Sequence, residues 1–202
     1  MRASGVRLFV AAELPAGLRD KLSSIQESLR QAPLPVRWAR PEGIHLTFKF
    51  LGETPDSRLG EITEVLRPAG EGIAPFRLEA CGAAPFPDRG APRLLWVETR
   101  GDLETTRRLA ASIDAATARI GFPAEAREFR PHLTLGRVKG PARGEWRGML
   151  ERVAGQAAGP LEVREYVLFQ SRLGPAGALY TPLQRFPLGR EAGAGQRPEI
   201  ER

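Results

Sequence analysis

Ile44-His45-Leu46-Thr47-Phe48-Lys49-Phe50-Leu51-Gly52 alternates polar and apolar side chains over the length of a strand. Side chains on a strand alternate with a period of two, so Leu46, Phe48 and Phe50 are expected on the core face, with His45, Thr47 and Lys49 opposite. The chain carries only two histidines. The second opens the same word, His132-Leu133-Thr134-Leu135, inside FRPHLTLGRV. Two histidines each followed by threonine two places later, in a chain poor in threonine, coincide by chance with a frequency of roughly 0.002. A duplicated strand is the better account, and it implies two similar halves whose polar faces meet across a cleft.

Working outward, RLFVAAEL ahead of Pro15 reads as a first strand, and Pro15 opens a helix whose Leu18, Leu22, Ile25 and Leu29 make one apolar stripe. Val36 to Trp38 is a short strand before the loop that leads to His45. Thr54-Pro55 reads as a cap and first turn for a second helix marked by Leu59, Ile62, Val65 and Leu66. Strands are expected over 75–81 and 93–99, separated by a long loop rich in Pro, Gly and Ala. Asp102 caps a third helix that Gly121 stops, and a short helix is expected around Trp146 to Val153. LEVREYVLFQSRL and ALYTPLQRFPL supply two late strands. Hairpin-like neighbours mixed with helices favour an α+β arrangement of antiparallel sheets backed by helices. Residues 1–188 are expected to form one bilobal domain, and 189–202, with almost nothing to bury, a frayed tail.

Composition narrows the classes. Hydrophobic residues make 42% and charged residues 27% of 202, the balance of a globular chain. No apolar run is long enough to span a bilayer, and Glu13 and Pro15 cut the first one short of a signal sequence. Cys81 is the only cysteine, so no intrachain disulfide forms, and the cytoplasm is the expected compartment. The net charge of +6 suits an anionic partner such as nucleic acid. Yet lysine occurs only at 21, 49 and 139 among the 30 basic residues, an arginine excess that a GC-rich genome also explains.

Histidine is the side chain whose ordinary pKa, near 6.5, lets one copy take a proton while another gives one. Hydrolysis of a cyclic phosphodiester needs that pair: a neutral imidazole for water and an imidazolium for the departing ribose oxygen. Threonine hydroxyls can hold non-bridging oxygens, and an arginine can hold two at once. Zinc is a poor alternative, with two histidines, one cysteine and no His-Glu-x-x-His word; a nucleophile elbow and a P-loop are absent too.

With the opening RLFVAAELP, the approach VRWARPEGIHLTFKFLGE and the closing LFQSRLGPAGALYTPLQRFPL, these words resemble the two-histidine (2H) phosphoesterase superfamily, in its bacterial and archaeal RNA 2′,3′-cyclic phosphodiesterase branch, also called 2′-5′ RNA ligase. The resemblance implies a bilobal fold of two antiparallel sheets with flanking helices, related by pseudo-twofold symmetry around a central cleft. It implies His45 and His132 as the catalytic pair, with Thr47, Thr134 and Arg130 on the substrate phosphate. It implies no metal or other cofactor, a 2′-phosphate product and a capacity for the reverse ligation. The words leave open which imidazole is the acid; His45 is taken as acid and His132 as base. Lys49, Trp38, Phe9, Ser171 and Tyr180 are further candidates to line the cleft. Two other readings stay open: a non-catalytic module that binds RNA ends, and a phosphodiesterase for a small cyclic phosphate. A monomer is expected.

Overall fold

A computed structural model describes residues 5–31, 35–140, 148, 150, 151, 153, 156–174 and 177–189. The helix expected near Trp146 and the tail from 190 fall on, or mostly on, residues outside that set. In chain order the strands are β1 (Gly5–Ala12), β2 (Val36–Trp38), β3 (Leu46–Pro55), β4 (Phe76–Phe86), β5 (Leu94–Gly101), β6 (His132–Val138), β7 (Ala157–Val163), β8 (Glu165–Gly174) and β9 (Gly177–Pro187). The helices are α1 (Ala16–Arg30), α2 (Leu59–Leu66) and α3 (Leu103–Ala118).

The strands run in the order β7-β4-β5-β6-β3-β1-β8-β9, with β2 also on β6, and every pair is antiparallel. The two expected sheets are therefore hydrogen-bonded into one surface, joined where β3 meets β6 at the pair Leu46 and Leu133. Outward from that seam the connectivity repeats: β1, α1 and β3 on one side match β5, α3 and β6 on the other. β7 ends the strand order on one side, and β8, separated from it in sequence only by Arg164, stands next to last on the other. A single residue spans about 3.5 Å. The sheet must therefore curl until the end of β7 comes beside the start of β8.

All three helices lie on one face. Leu18, Leu22, Ile25 and Leu29 of α1, Ile62 and Leu66 of α2, and Leu109 and Ile113 of α3 join Leu8, Val10, Leu46, Leu95, Leu133 and Leu135 in one core. The other face carries a small aromatic cluster of Phe9, Ala11, Val167 and Phe169, with Tyr180 packed on it. Asp102 caps α3 as expected, its carboxylate accepting from the Thr105 N–H at 3.1 Å.

Four expectations shift. Thr54 is not a helix cap but a buried residue of β3, which runs through Pro55 before a 3-10 turn leads into α2. The pairing with β1 extends the strand beyond the point where local signals end it, Val6 standing opposite Thr54. β4 continues to Phe86 and shortens the expected loop, because Gly82 takes φ +67° where the strand bulges and lets it stay paired with β5. The stretch LEVREYVLFQSRL is two strands, broken at Arg164, where the chain passes from β7 at one end of the strand order to β8, next to last at the other.

The fourth shift concerns the faces of β3. Val10 pairs with Lys49 and Ala11 with Thr47, so Phe48 is the extra residue of a β-bulge; a second register shift leaves Leu51 extra. A bulge places two residues opposite one and resets the alternation. Lys49 consequently turns to the helix side, 2% exposed, and Phe50 to the open face, 58% exposed. β6 does the same at the matching place: Leu95 pairs with Gly136 and Trp96 with Thr134, leaving Leu135 extra. The fourth residue of each His-Leu-Thr-x word is thus a bulge.

Candidate active site

The seam sets the geometry. Leu46 and Leu133 are each 0% exposed in the core, so the residues beside them point to the open face. Continuing the antiparallel register by one residue each way sets His45 across from Thr134 and Thr47 across from His132. All four side chains of the duplicated words therefore crowd one spot on the face away from the helices, each partly exposed.

His45 occupies the break between β2 and β3, which lie end to end along β6, following the 3-10 turn Pro41–Gly43. α1 fastens this arrangement from behind. Gln26, 1% exposed, donates from Nε2 to the carbonyls of Ala39 and Leu135, both at 2.8 Å, tying the approach to His45 to the strand of His132. Ala39 N–H adds a bond to the Leu135 carbonyl at 2.8 Å.

Each imidazole is anchored in the same way. His132 donates from Nδ1 to the carbonyl of Arg130, at 2.7 Å, and His45 hydrogen-bonds the carbonyl of Gly43, in each case two residues back. Each also lies against aromatic rings of the neighbouring strands. His45 stacks on Phe9 at 4.6 Å between centroids, with Phe169 behind Phe9 at 5.1 Å and Tyr180 edge-on to the imidazole at 5.1 Å. His132 packs on Trp96 at 4.4 Å, with Phe86 behind that ring at 4.5 Å.

Burial lowers the pKa of His45 from 6.5 to about 4; the Gly43 carbonyl opposes the shift, and the charge of His132 adds to it. That repulsion requires the two rings to be close. Burial also lowers His132, against the pull of the Arg130 carbonyl. In the free protein both rings are accordingly neutral near pH 7.

Of the expected site residues, His45, Thr47, His132 and Thr134 are brought together. Arg130 is exposed and lines a recess beside His132. Phe9 and Tyr180 do flank His45. Lys49 does not reach the open face; its ammonium is buried against the carboxylate of Asp114 and donates to the Pro123 carbonyl at 2.5 Å. Trp38 packs on the core side, with the Arg30 guanidinium over its ring. Ser171 pairs with Arg7 and Tyr180 in the sheet. Among the described residues, no group of three or more His, Cys, Asp or Glu is placed to hold a metal ion, and no helix is long and apolar enough to cross a membrane.

The profile of LigT-like phosphoesterases matches residues 13–96 and again 99–180, one His-Leu-Thr word in each stretch. The chain belongs to that family. A relative from Methanothermobacter thermautotrophicus, named RNA 2′,3′-cyclic phosphodiesterase, is 37% identical over 91% of this chain and 99% of its own length. A Thermus thermophilus protein of the same name is 34% identical over 96% of the chain and 99% of its own. A crystal structure of a protein from Thermus thermophilus superposes with a TM-score of 0.75 at 31% identity, over 90% of this chain and 97% of that one. Escherichia coli LigT complexed with 3′-AMP shares the fold, with a TM-score of 0.76 over 93% of this chain and all of that one.

Within this LigT-like phosphoesterase, Trp96, Phe86, Phe169 and Glu98, which pairs with His132, reach the site, and Gln26 braces it from behind, none of them singled out in the sequence. One signal was available. Leu8-Phe9-Val10 and Leu95-Trp96-Val97 repeat a Leu-aromatic-Val word on β1 and β5, the strands that pair with β3 and β6. Gln26 carries no such mark, since nothing in an amphipathic helix announces which polar residue will be buried.

Proposed function

We propose that this protein hydrolyses the 2′,3′-cyclic phosphate at an RNA end to a 2′-phosphate, using His45 and His132 for the two proton transfers. The observation that carries the reading is the pairing of Leu46 with Leu133, which puts both duplicated words on one open face. Water attacks phosphorus and gives its proton to the neutral imidazole. The bond from phosphorus to the ribose 3′ oxygen breaks, and that oxygen takes a proton from the imidazolium. The hydroxyls of Thr47 and Thr134, each across from a histidine, donate to the non-bridging oxygens as their charge grows, and Arg130 adds a guanidinium from the side.

The depth of burial supports His45 as the base and His132 as the acid, the reverse of the sequence expectation. A ring whose pKa falls to about 4 is the one that stays unprotonated. The bound phosphate anion supplies the charge that keeps the other ring protonated. Phe50, 58% exposed, and the partly exposed Tyr180 beside His45 offer stacking surface for the terminal base. The names of the relatives support RNA as the substrate. With a ribose hydroxyl in place of water the same groups form a 2′-5′ bond, so reverse ligation is part of the proposal. So are a monomeric state and a cytoplasmic location.

The test uses His45→Ala and His132→Ala on an oligonucleotide ending in a 2′,3′-cyclic phosphate, with circular dichroism to verify folding. Each should lose about 10² to 10⁴ in rate, and wild-type turnover should survive EDTA. Turnover retained in either folded mutant sinks the mechanism, and ligand bound but never consumed by the wild type points to a binding module.

A further inference from the structure

Beyond the imidazoles, on the β5 and α3 side, lies a recess of about 380 Å³. Its walls include Trp96, Glu98, Arg107, Glu128, Arg130 and His132 itself. The volume is within the range of small-ligand sites. We infer that this recess is a second nucleotide subsite, which takes the ribonucleotide immediately 5′ of the cyclic end. The inference rests on the phosphodiesterase reading above.

Three observations support it. The first is charge. Two guanidiniums face two carboxylates, and Arg107 lies 3.7 Å from Glu128. A balanced recess is a poor trap for a bare anion, because each carboxylate repels it. It suits a group that brings an anion together with hydrogen-bond donors, as a nucleotide does: a phosphodiester for the arginines, ribose hydroxyls and base N–H groups for the carboxylates.

The second is register. Glu98 pairs with His132 and Trp96 with Thr134 across β5 and β6, so both project on the face of the reacting phosphate. Glu98 is exposed and opens toward the ligand; Trp96 backs the imidazole with its ring. Arg130 lines the same recess as His132, and its carbonyl holds that imidazole.

The third is connectivity of the substrate. The aromatic surface around His45 takes the terminal base. In an RNA ending in a cyclic phosphate both 2′ and 3′ oxygens are occupied, so the chain continues only through the 5′ oxygen. In hydrolysis, where water is the nucleophile, a second nucleotide reaching the His132 side is therefore the upstream neighbour.

The experiment compares binding of two products that are not turned over: a nucleoside 2′-phosphate and a dinucleotide ending in the same nucleoside 2′-phosphate, by calorimetry. The dinucleotide should bind about tenfold more tightly to the wild type, the gain expected from one or two added charge-assisted hydrogen bonds. Arg107→Glu should bring the two affinities together. Arg108→Glu, an exposed change of equal charge on the same helix outside the recess, should leave the ratio as in the wild type. Both positions are exposed on α3, so the variants keep the fold. Equal affinities in the wild type, or an equal drop in the ratio for both variants, overturn the subsite. Turnover of the matching 2′,3′-cyclic compounds is measured in parallel. Equal binding with intact hydrolysis removes only the subsite, whereas preferential binding without hydrolysis removes only the assigned reaction.

Discussion

His45 and His132 carry the same word but sit in unequal surroundings. Because burial holds both below 6.5 in the free protein, the limbs of the kcat/KM profile are expected on the acid side of that value, the lower one near pH 4. Bound substrate adds a phosphate anion, which favours the charged imidazole, so the kcat profile should lie at higher pH than that of kcat/KM. Coincident profiles centred above pH 7 would contradict the arrangement. Gly136, two residues after Thr134, tests the backbone. A Cβ there would lie 2.5 Å from Val36 Cγ1, 3.0 Å from the Arg37 carbonyl and 3.2 Å from Trp38 Cα. Two of those neighbours are backbone and cannot rotate away. Gly136→Ala should lower the melting temperature through an overpacking cost of about 1–3 kcal/mol. At this scale the sequence was most legible, since a rare residue type repeated in a fixed word needs no knowledge of packing. Phe9 and Tyr180, named as candidates for the cleft, lie against His45, and Arg130 lines the recess beside His132. Trp96 was hidden in a run that reads as ordinary strand.

Among the elements, β3 is where alternation misled. The bulge at Phe48 carries Lys49 through the sheet to α3, where it meets Asp114, and Asp114 also accepts from the Glu125 N–H at 3.2 Å. That contact fastens the first motif strand to the segment that leads into Arg130 and His132. Lys49→Met leaves a carboxylate 23% exposed without its cation and removes the bond to Pro123, with an expected loss of about 3 kcal/mol. A lower urea midpoint with an unchanged slope is the expected signature; an unmoved midpoint would mean that Lys49 carries no such role. Bulges are invisible to local pattern because the extra residue is defined by the partner strand. The same holds for Thr54, whose cap signature lost to pairing with β1, and for Arg164, whose break depends on which strands stand at the ends of the sheet. The helices α1, α2 and α3, whose periodicity is written in one segment, came through with buried stripes.

For the molecule as a whole, stability should follow the neutral state of the histidines. The unfolded chain protonates His45 near pH 6.5, while the folded chain resists down to about 4. Between those values the unfolded state binds more protons, so stability is complete above about pH 6.5 and falls as pH falls toward 4. A shift of that size corresponds to about 3 kcal/mol. His45→Leu should flatten much of the dependence in thermal melts from pH 4 to 7. A dependence equal to that of the wild type would place its origin elsewhere. The mixture of strands and helices was legible at this scale, but the fusion into one curled sheet was not, because it depends on a single pair of leucines and a one-residue link. The Leu46 and Leu133 seam carries one more consequence. A hypothetical protein built from two copies of the first half would present twin imidazoles with identical companions, and nothing in it would decide which ring receives and which releases. On the proposed mechanism, the direction of proton traffic would therefore reside in the unlike walls, phenylalanine with tyrosine on one side and tryptophan on the other, more than in the shared word.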